Sequence, residues 1–152
     1  MEKHIIVLRG TAASAEEAIA LCGAALQREG IVQDTFAQKC IERERDYPTG
    51  LPTDIPVAIP HCKDDGIQAN CICLLRLDAP VRFRRMDDDQ ESIETDLVFN
   101  LAIKDPDQHL AVLQRMMAFF GDTDAVEKCR RLSDADAAAF LSEHISITAE
   151  EG

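Results

Sequence analysis

Apolar residues recur along the chain with two different periods, and the switches between them predict the order of its elements. His4 to Leu8 is a short apolar run that predicts a strand. Ala18, Leu21, Cys22, Ala25 and Leu26 then fall at helical spacing. Ser14 with Glu17 three residues later forms a capping box, in which each side chain satisfies a free backbone donor of the other. Gly30 offers a left-handed stop, so the spacing predicts a helix over residues 15–29. Asp34 is the expected cap of a second helix with Phe36, Ala37, Cys40 and Ile41 on its apolar side. That helix runs into Arg43-Glu44-Arg45-Asp46-Tyr47 and ends before Pro48, which leaves two arginines at its carboxyl end.

From Pro48 to Pro60 there are four prolines and a glycine, the signature of a stiff surface loop. Only Val57-Ala58-Ile59 interrupts it, and His61 follows that run directly. Cys71 to Leu77 is continuously apolar, Val81-Arg82-Phe83 alternates, and Leu97 to Ile103 is apolar except for Asn100. These read as strands, the first and third buried on both faces. After Lys104 the period becomes helical again, with Leu110, Leu113, Met117 and Phe120 on one face and Gly121 as terminator. Two shorter helices are expected near residues 122–131 and 134–144. Strands interleaved with helices predict an α/β fold, a sandwich with a central mixed β-sheet flanked by helices. With no internal repeat and no linker, residues 1–152 are expected to form a single domain.

Charge narrows the possible partners. The net charge of −12 comes from 16 basic and 28 acidic residues, and it argues against nucleic acid or an anionic membrane surface, both of which need clustered positive potential. No apolar run approaches the roughly 18–20 residues that span a bilayer, and no leader precedes a cleavage site. The chain is therefore expected in the cytoplasm, without direct membrane insertion. Its six cysteines (Cys22, Cys40, Cys62, Cys71, Cys73, Cys129) lie within apolar helical and strand patterns, and reduced thiols packed as small apolar groups are expected.

The candidate chemistry centres on His61. It stands at the carboxyl end of a predicted strand, where open α/β sheets place ligands, followed by the polar turn Cys62-Lys63-Asp64-Asp65-Gly66. His109 is the second member. Asp105 suits an N-cap, Pro106 the first helical position, and Gln108 can reach back as in a capping box, which puts His109 in the first turn of its helix. The helix dipole there disfavours an imidazolium, so a neutral His109 can hydrogen-bond an anion that the backbone amides also favour. Arg43 and Arg45 form a third element, because an arginine offers paired planar donors to phosphate oxygens. Against that stands the plainer reading of a solvated charge run pairing with Glu42 and Glu44. Other chemistries lack support. No paired CxxC knuckle favours zinc, no Gly-rich nucleotide loop or GxSxG elbow is present, and Asp87-Asp88-Asp89 with Glu91 lacks the spacing of a calcium loop and reads as solvated. No metal and no cofactor is expected.

With these residues in place, the sequence resembles the fructose/mannitol-type enzyme IIA family of the phosphoenolpyruvate-dependent sugar phosphotransferase system, over about residues 5 to 145. The motifs are Arg43-Glu44 ahead of Pro48-Thr49, then Val57-Ala58-Ile59-Pro60-His61, then Leu97 to Ile103 followed by His109-Leu110. The resemblance implies that His61 accepts phosphate from the histidine-containing phosphocarrier protein and passes it to a cysteine of enzyme IIB. It matches His109 to the second active-site histidine and Arg43 to the arginine beside the phosphate, and it gives Arg45 no role. Cys62 departs from the family, where a small or hydroxyl residue commonly follows the histidine, so a backbone amide could take the place of a hydroxyl bond near the phosphate.

The segment Tyr47-Pro48-Thr49-Gly50-Leu51-Pro52 looks most like the galactitol-type members. With the sequence ending at Gly152, enzyme IIB and the membrane enzyme IIC are expected to act in trans. A regulatory phosphoacceptor that controls a partner protein without sugar transport is the alternative. A thiol or metal-binding domain is a third reading, which would need bound metal or redox-active cysteines.

Overall fold

The structure, a computed structural model, describes residues 5–145. Five strands form one sheet in the order β1 (Ile5–Gly10), β4 (Cys71–Arg84), β5 (Ser92–Ala102), β3 (Val57–Ala58) and β2 (Gly50–Leu51). β1 runs parallel to β4, β4 antiparallel to β5, β3 parallel to β5 and β2 antiparallel to β3, so the sheet is mixed, as expected. The period-2 pleat of β4 and β5 divides the core in two. Cys71, Cys73, Leu75, Val98 and Ala102 face α1 (Ala15–Arg28) and α2 (Phe36–Asp46). Ile72, Leu74, Leu97, Phe99 and Leu101 face α3 (His109–Phe120), α4 (Thr123–Arg131) and α5 (Asp134–His144). Continuous apolar runs are what a strand covered on both sides requires.

The first helix ends as its chemistry dictates. Ser14 Oγ accepts from the Glu17 amide at 3.2 Å, while the Glu17 carboxylate takes the amide of Ala13 (3.0 Å), one residue earlier than a strict capping box. Gly30, at φ +76°, closes a Schellman turn through bonds from Gly30 to Gln27 and from Ile31 to Leu26.

Four expectations are corrected. Asp34 does not cap α2: Thr35 holds that position without a capping bond, and its hydroxyl donates to Asp64 instead. The runs at 71–77 and 81–83 belong to one strand. Arg76 pairs with Leu97 and Val81 with Thr95, so Leu77 to Pro80 bulge opposite Asp96 alone, and Pro80, which has no N–H to give the ladder, sits in the bulge. Gln108 does not complete a capping box, because its side-chain oxygen accepts from Asn70 and a 3₁₀ turn over Pro106–Gln108 precedes α3. The buried face of α3 is Val112, Met116, Phe119 and Phe120, leaving Leu110 66% and Met117 44% exposed. Apolar residues occur nearly all round this helix, and the rotation that buries two phenylalanines, one against Phe99 at 4.9 Å between ring centroids, removes the most area from water. His4, where the first strand was expected to begin, lies outside the described residues.

Candidate functional site

The proline-rich segment before His61 is held to the sheet by named bonds rather than lying free. β2 and β3 pair within it, and the Ile59 amide extends their ladder to the Thr49 carbonyl (3.3 Å). Thr95 Oγ1 donates to the Pro56 carbonyl at 2.6 Å. Two donors converge on the Pro60 carbonyl, the Leu101 amide at 2.9 Å and the fully buried Asn100 side chain at 3.1 Å. His61 therefore leaves the sheet opposite Leu101, with little freedom in its backbone.

Its ring is fixed as well. Nδ1 lies 2.7 Å from the Ile59 carbonyl oxygen, which can only accept, so Nδ1 carries the hydrogen and Nε2 keeps a free lone pair. Only 6% of His61 is exposed, and it opens onto two clefts of about 640 and 630 Å³. Burial pulls its pKa below 6.5, opposed by the Ile59 bond and aided by the nearby Arg43 charge.

His109 opens α3, at the point where β5 has ended and the chain turns. The two imidazole centroids are 5.6 Å apart at 53°. Partial burial first, then the proximity of His61, Lys63 and Arg43, depress the His109 pKa to about 4. Both rings are thus neutral near pH 7. His109 Nε2 and Arg43 Nη1 are buried polar atoms without a hydrogen-bond partner, and both residues line the cleft that His61 lines. An unpaired buried guanidinium N–H is costly, and beside an unpaired imidazole nitrogen that can carry a hydrogen it makes a receptor for an anion with several acceptor oxygens. The Arg43 guanidinium is steadied by the Tyr47 ring, 4.5 Å from its centroid.

Of the residues singled out in the sequence, His61, His109 and Arg43 come together, and Arg45 does not, being ion-paired to Glu16. The Cys62 thiol turns inward, 3.4 Å from Cys40 Sγ. Glu44 is buried rather than part of a solvated run. The acidic run is exposed as expected, yet Asp87, Asp88 and Asp89 also line the 640 Å³ cleft with Met86. Leu110 and Leu113 line the 630 Å³ cleft, and Leu113 reaches both. No sequence signal marked these as neighbours of His61, because the β4–β5 turn and the rotation of α3 bring them there. No three His, Cys, Asp or Glu side chains among the described residues converge as a metal site.

Residues 1–144 match the family model for the phosphoenolpyruvate-dependent sugar phosphotransferase system, EIIA 2. The chain belongs to this family. It is 29% identical over 130 residues to the galactitol-specific EIIA component of Escherichia coli K12, covering 85% of this chain and 86% of that one. It is 31% identical over 105 residues to a nitrogen regulatory protein of Pseudomonas aeruginosa, covering 68% of this chain and 64% of that one. Among solved structures, the complex of enzyme IIAMTL with phosphorylated enzyme IIBMTL from Escherichia coli shares the fold, with a TM-score of 0.73 at 24% identity over 94% of this chain and 96% of that one. This EIIA domain is thus a phosphoryl-carrying component of a phosphotransferase system, and its chemistry is phosphotransfer.

Proposed function

We propose that His61 is the phosphoryl acceptor, that it receives phosphate from the histidine-containing phosphocarrier protein, and that it hands the group to a cysteine of an enzyme IIB. The observation that carries this reading is the His61 Nδ1 bond to Ile59, which leaves Nε2 with a free lone pair beside two buried nitrogens without partners, Arg43 Nη1 and His109 Nε2. In the first step the Nε2 lone pair attacks phosphorus in line, the new N–P bond forming as the donor's P–N bond breaks. Arg43 and a neutral His109 stabilise the charge on the transferring oxygens. In the second step a thiolate of enzyme IIB attacks the same phosphorus and His61 leaves neutral. Residues 1–152 act as one IIA unit in the cytoplasm, with enzyme IIB as the acceptor and the membrane enzyme IIC reached only through it.

Incubation with phosphoenolpyruvate, enzyme I and the carrier protein tests this. One acid-labile phosphoryl group per chain is expected, and none on His61→Ala, since no other side chain combines a nucleophilic ring with this position. Full labelling of that variant would remove the assignment.

The sugar is galactitol on this reading, from the Tyr47 to Pro52 segment and the named galactitol relative. Specificity would reach this chain through its fit to one IIB, so transfer to a galactitol-type IIB should be much faster than to mannitol- or fructose-type ones. A regulatory role is the second reading, favoured by the relative named as a nitrogen regulatory protein. Genes for IIB and IIC beside this one support transport, and failure to phosphorylate any IIB supports regulation.

A further inference from the structure

Glu44 is a carboxylate that the phosphoryl-transfer chemistry does not use, yet it is only 8% exposed and fully engaged. It follows Arg43 in the last turn of α2. One step along a helix turns a side chain by about 100°, so the two residues point different ways. Arg43 lines the His61 cleft, while Glu44 reaches Thr49. Glu44 Oε2 accepts the Thr49 amide at 2.8 Å and Oε1 accepts the Thr49 hydroxyl at 2.7 Å, a two-pronged grip on a residue that is itself buried. The Thr49 carbonyl accepts the Ile59 amide (3.3 Å), and the Ile59 carbonyl accepts His61 Nδ1–H (2.7 Å).

We propose that Glu44 is a positioning residue for phosphoryl transfer: its grip on Thr49 fixes the Ile59 carbonyl that holds His61 in the Nδ1–H tautomer. The inference rests on the reading of His61 as the acceptor. Three hydrogen-bonded links join the carboxylate to the reacting ring, and every residue in the chain is buried, so none can exchange its partner for water without moving. Release of Thr49 frees the β2 end of the ladder. Ile59 then loses the partner of its amide, its carbonyl drifts, and the ring can take the Nε2–H tautomer, which has no lone pair facing the donor phosphate.

The test compares Glu44→Gln with Glu44→Ala. Glutamine can accept the Thr49 amide on its oxygen and offer its amide hydrogens to the hydroxyl, so the grip survives without the charge. Nitrogen NMR of histidine-labelled protein reads which ring nitrogen of His61 carries hydrogen, with no partner protein present. Wild type and Glu44→Gln should show the Nδ1–H tautomer, with phosphorylation rates within about threefold of each other, whereas Glu44→Ala should show mixed tautomers and a rate lower by about tenfold or more. If Glu44→Ala does not fold, Thr49→Val, which loses the hydroxyl bond and keeps the amide, should shift the tautomer in the same direction by less. A folded Glu44→Ala, or failing that Thr49→Val, with the wild-type tautomer and rate would overturn the proposal. Wild-type protein that labels on a residue other than His61 would instead overturn the acceptor assignment, and the tautomer signature would still report on the grip.

Discussion

Neutrality of the two imidazoles follows from where their rings sit. For His61 the larger cause is burial, with Arg43 adding to it; for His109 it is burial, then the neighbouring His61, Lys63 and Arg43. On the proposed reading acceptance uses the lone pair on His61, so its rate at saturating donor should stay level from about pH 8 down to 6.5 and decline only below. A rate that halves near 6.5, measured by rapid quench across that range, would show that burial leaves this ring unperturbed. The same shifts bear on stability. Below 6.5 the unfolded chain binds protons that the buried rings refuse, so unfolding is favoured as pH falls from 6.5 toward about 4, where His109 also protonates in the folded state. Denaturant midpoints should therefore fall over that window, with carboxylates contributing at its lower end. His109→Ala should leave a folded protein that still accepts phosphate but transfers it more slowly, by roughly 10²-fold, the usual cost of removing one preorganised donor to transition-state oxygens. Unchanged forward and reverse rates would show that His109 does not touch the reaction.

The elements that carry these residues are held by packing that can be tested directly. Gly23 in α1 lies against Ala37 in α2, and a Cβ added there would come within 2.6 Å of the Ala37 Cβ. Gly23→Ala should gain about 1 kcal/mol of helix propensity and lose about 1–3 kcal/mol to overpacking, a net loss read from urea unfolding. Because α2 also positions Arg43 and Glu44, the variant should slow transfer as well as unfold earlier. A gain of about 1 kcal/mol, the full helix-propensity difference, would mean that the two helices separate at no cost. Helix ends of this kind were legible in the sequence because caps are local: Ser14 and Gly30 act within a few residues, and the predicted bounds of α1 fall within one residue of the observed ones. The places of His61 and His109 were legible for the same reason, His61 after a strand-end signal and His109 after the helix-start signals of Asp105 and Pro106. What depends on distant chain was not. β2 is two residues long, too short for any period, and forms because Thr49 and Ile59 meet across the ladder that it makes with the strand read at Val57 to Ile59. The burial of Glu44 follows from that meeting, and the buried face of α3 from the aromatic contact with β5.

At the scale of the molecule, charge is the quantity that a partner meets first. The chain carries −12, and part of this is concentrated where transfer is proposed to occur, since Asp46, Asp87, Asp88 and Asp89 line the cleft beside His61. Tyr47 and Met86, both exposed, lie among them, and Leu110 and Leu113 line the adjoining cleft, so the mouth combines an apolar centre with an acidic side. Such a surface suits a donor protein with an apolar patch edged by basic groups. Complementary charge of this kind raises the encounter rate and leaves the chemistry alone. At physiological salt the screening length is about 8 Å, so charges at the rim act on an approaching partner more than those elsewhere on the chain. Asp88→Lys with Asp89→Lys should therefore lower the second-order rate of phosphorylation by the carrier protein and flatten its dependence on salt, while the rate at saturating carrier stays the same. Asp34→Lys with Glu143→Lys makes the same change in net charge, from −12 to −8 at two units per substitution, at exposed positions that line neither cleft. That control should leave both the rate and its salt dependence near those of the wild type. If the two double variants slow the encounter equally, total charge governs association and the acidic rim has no local part in it. If the rim variant alone loses rate at saturating carrier, Asp88 and Asp89 act on the phosphoryl group itself and not on the approach of the donor.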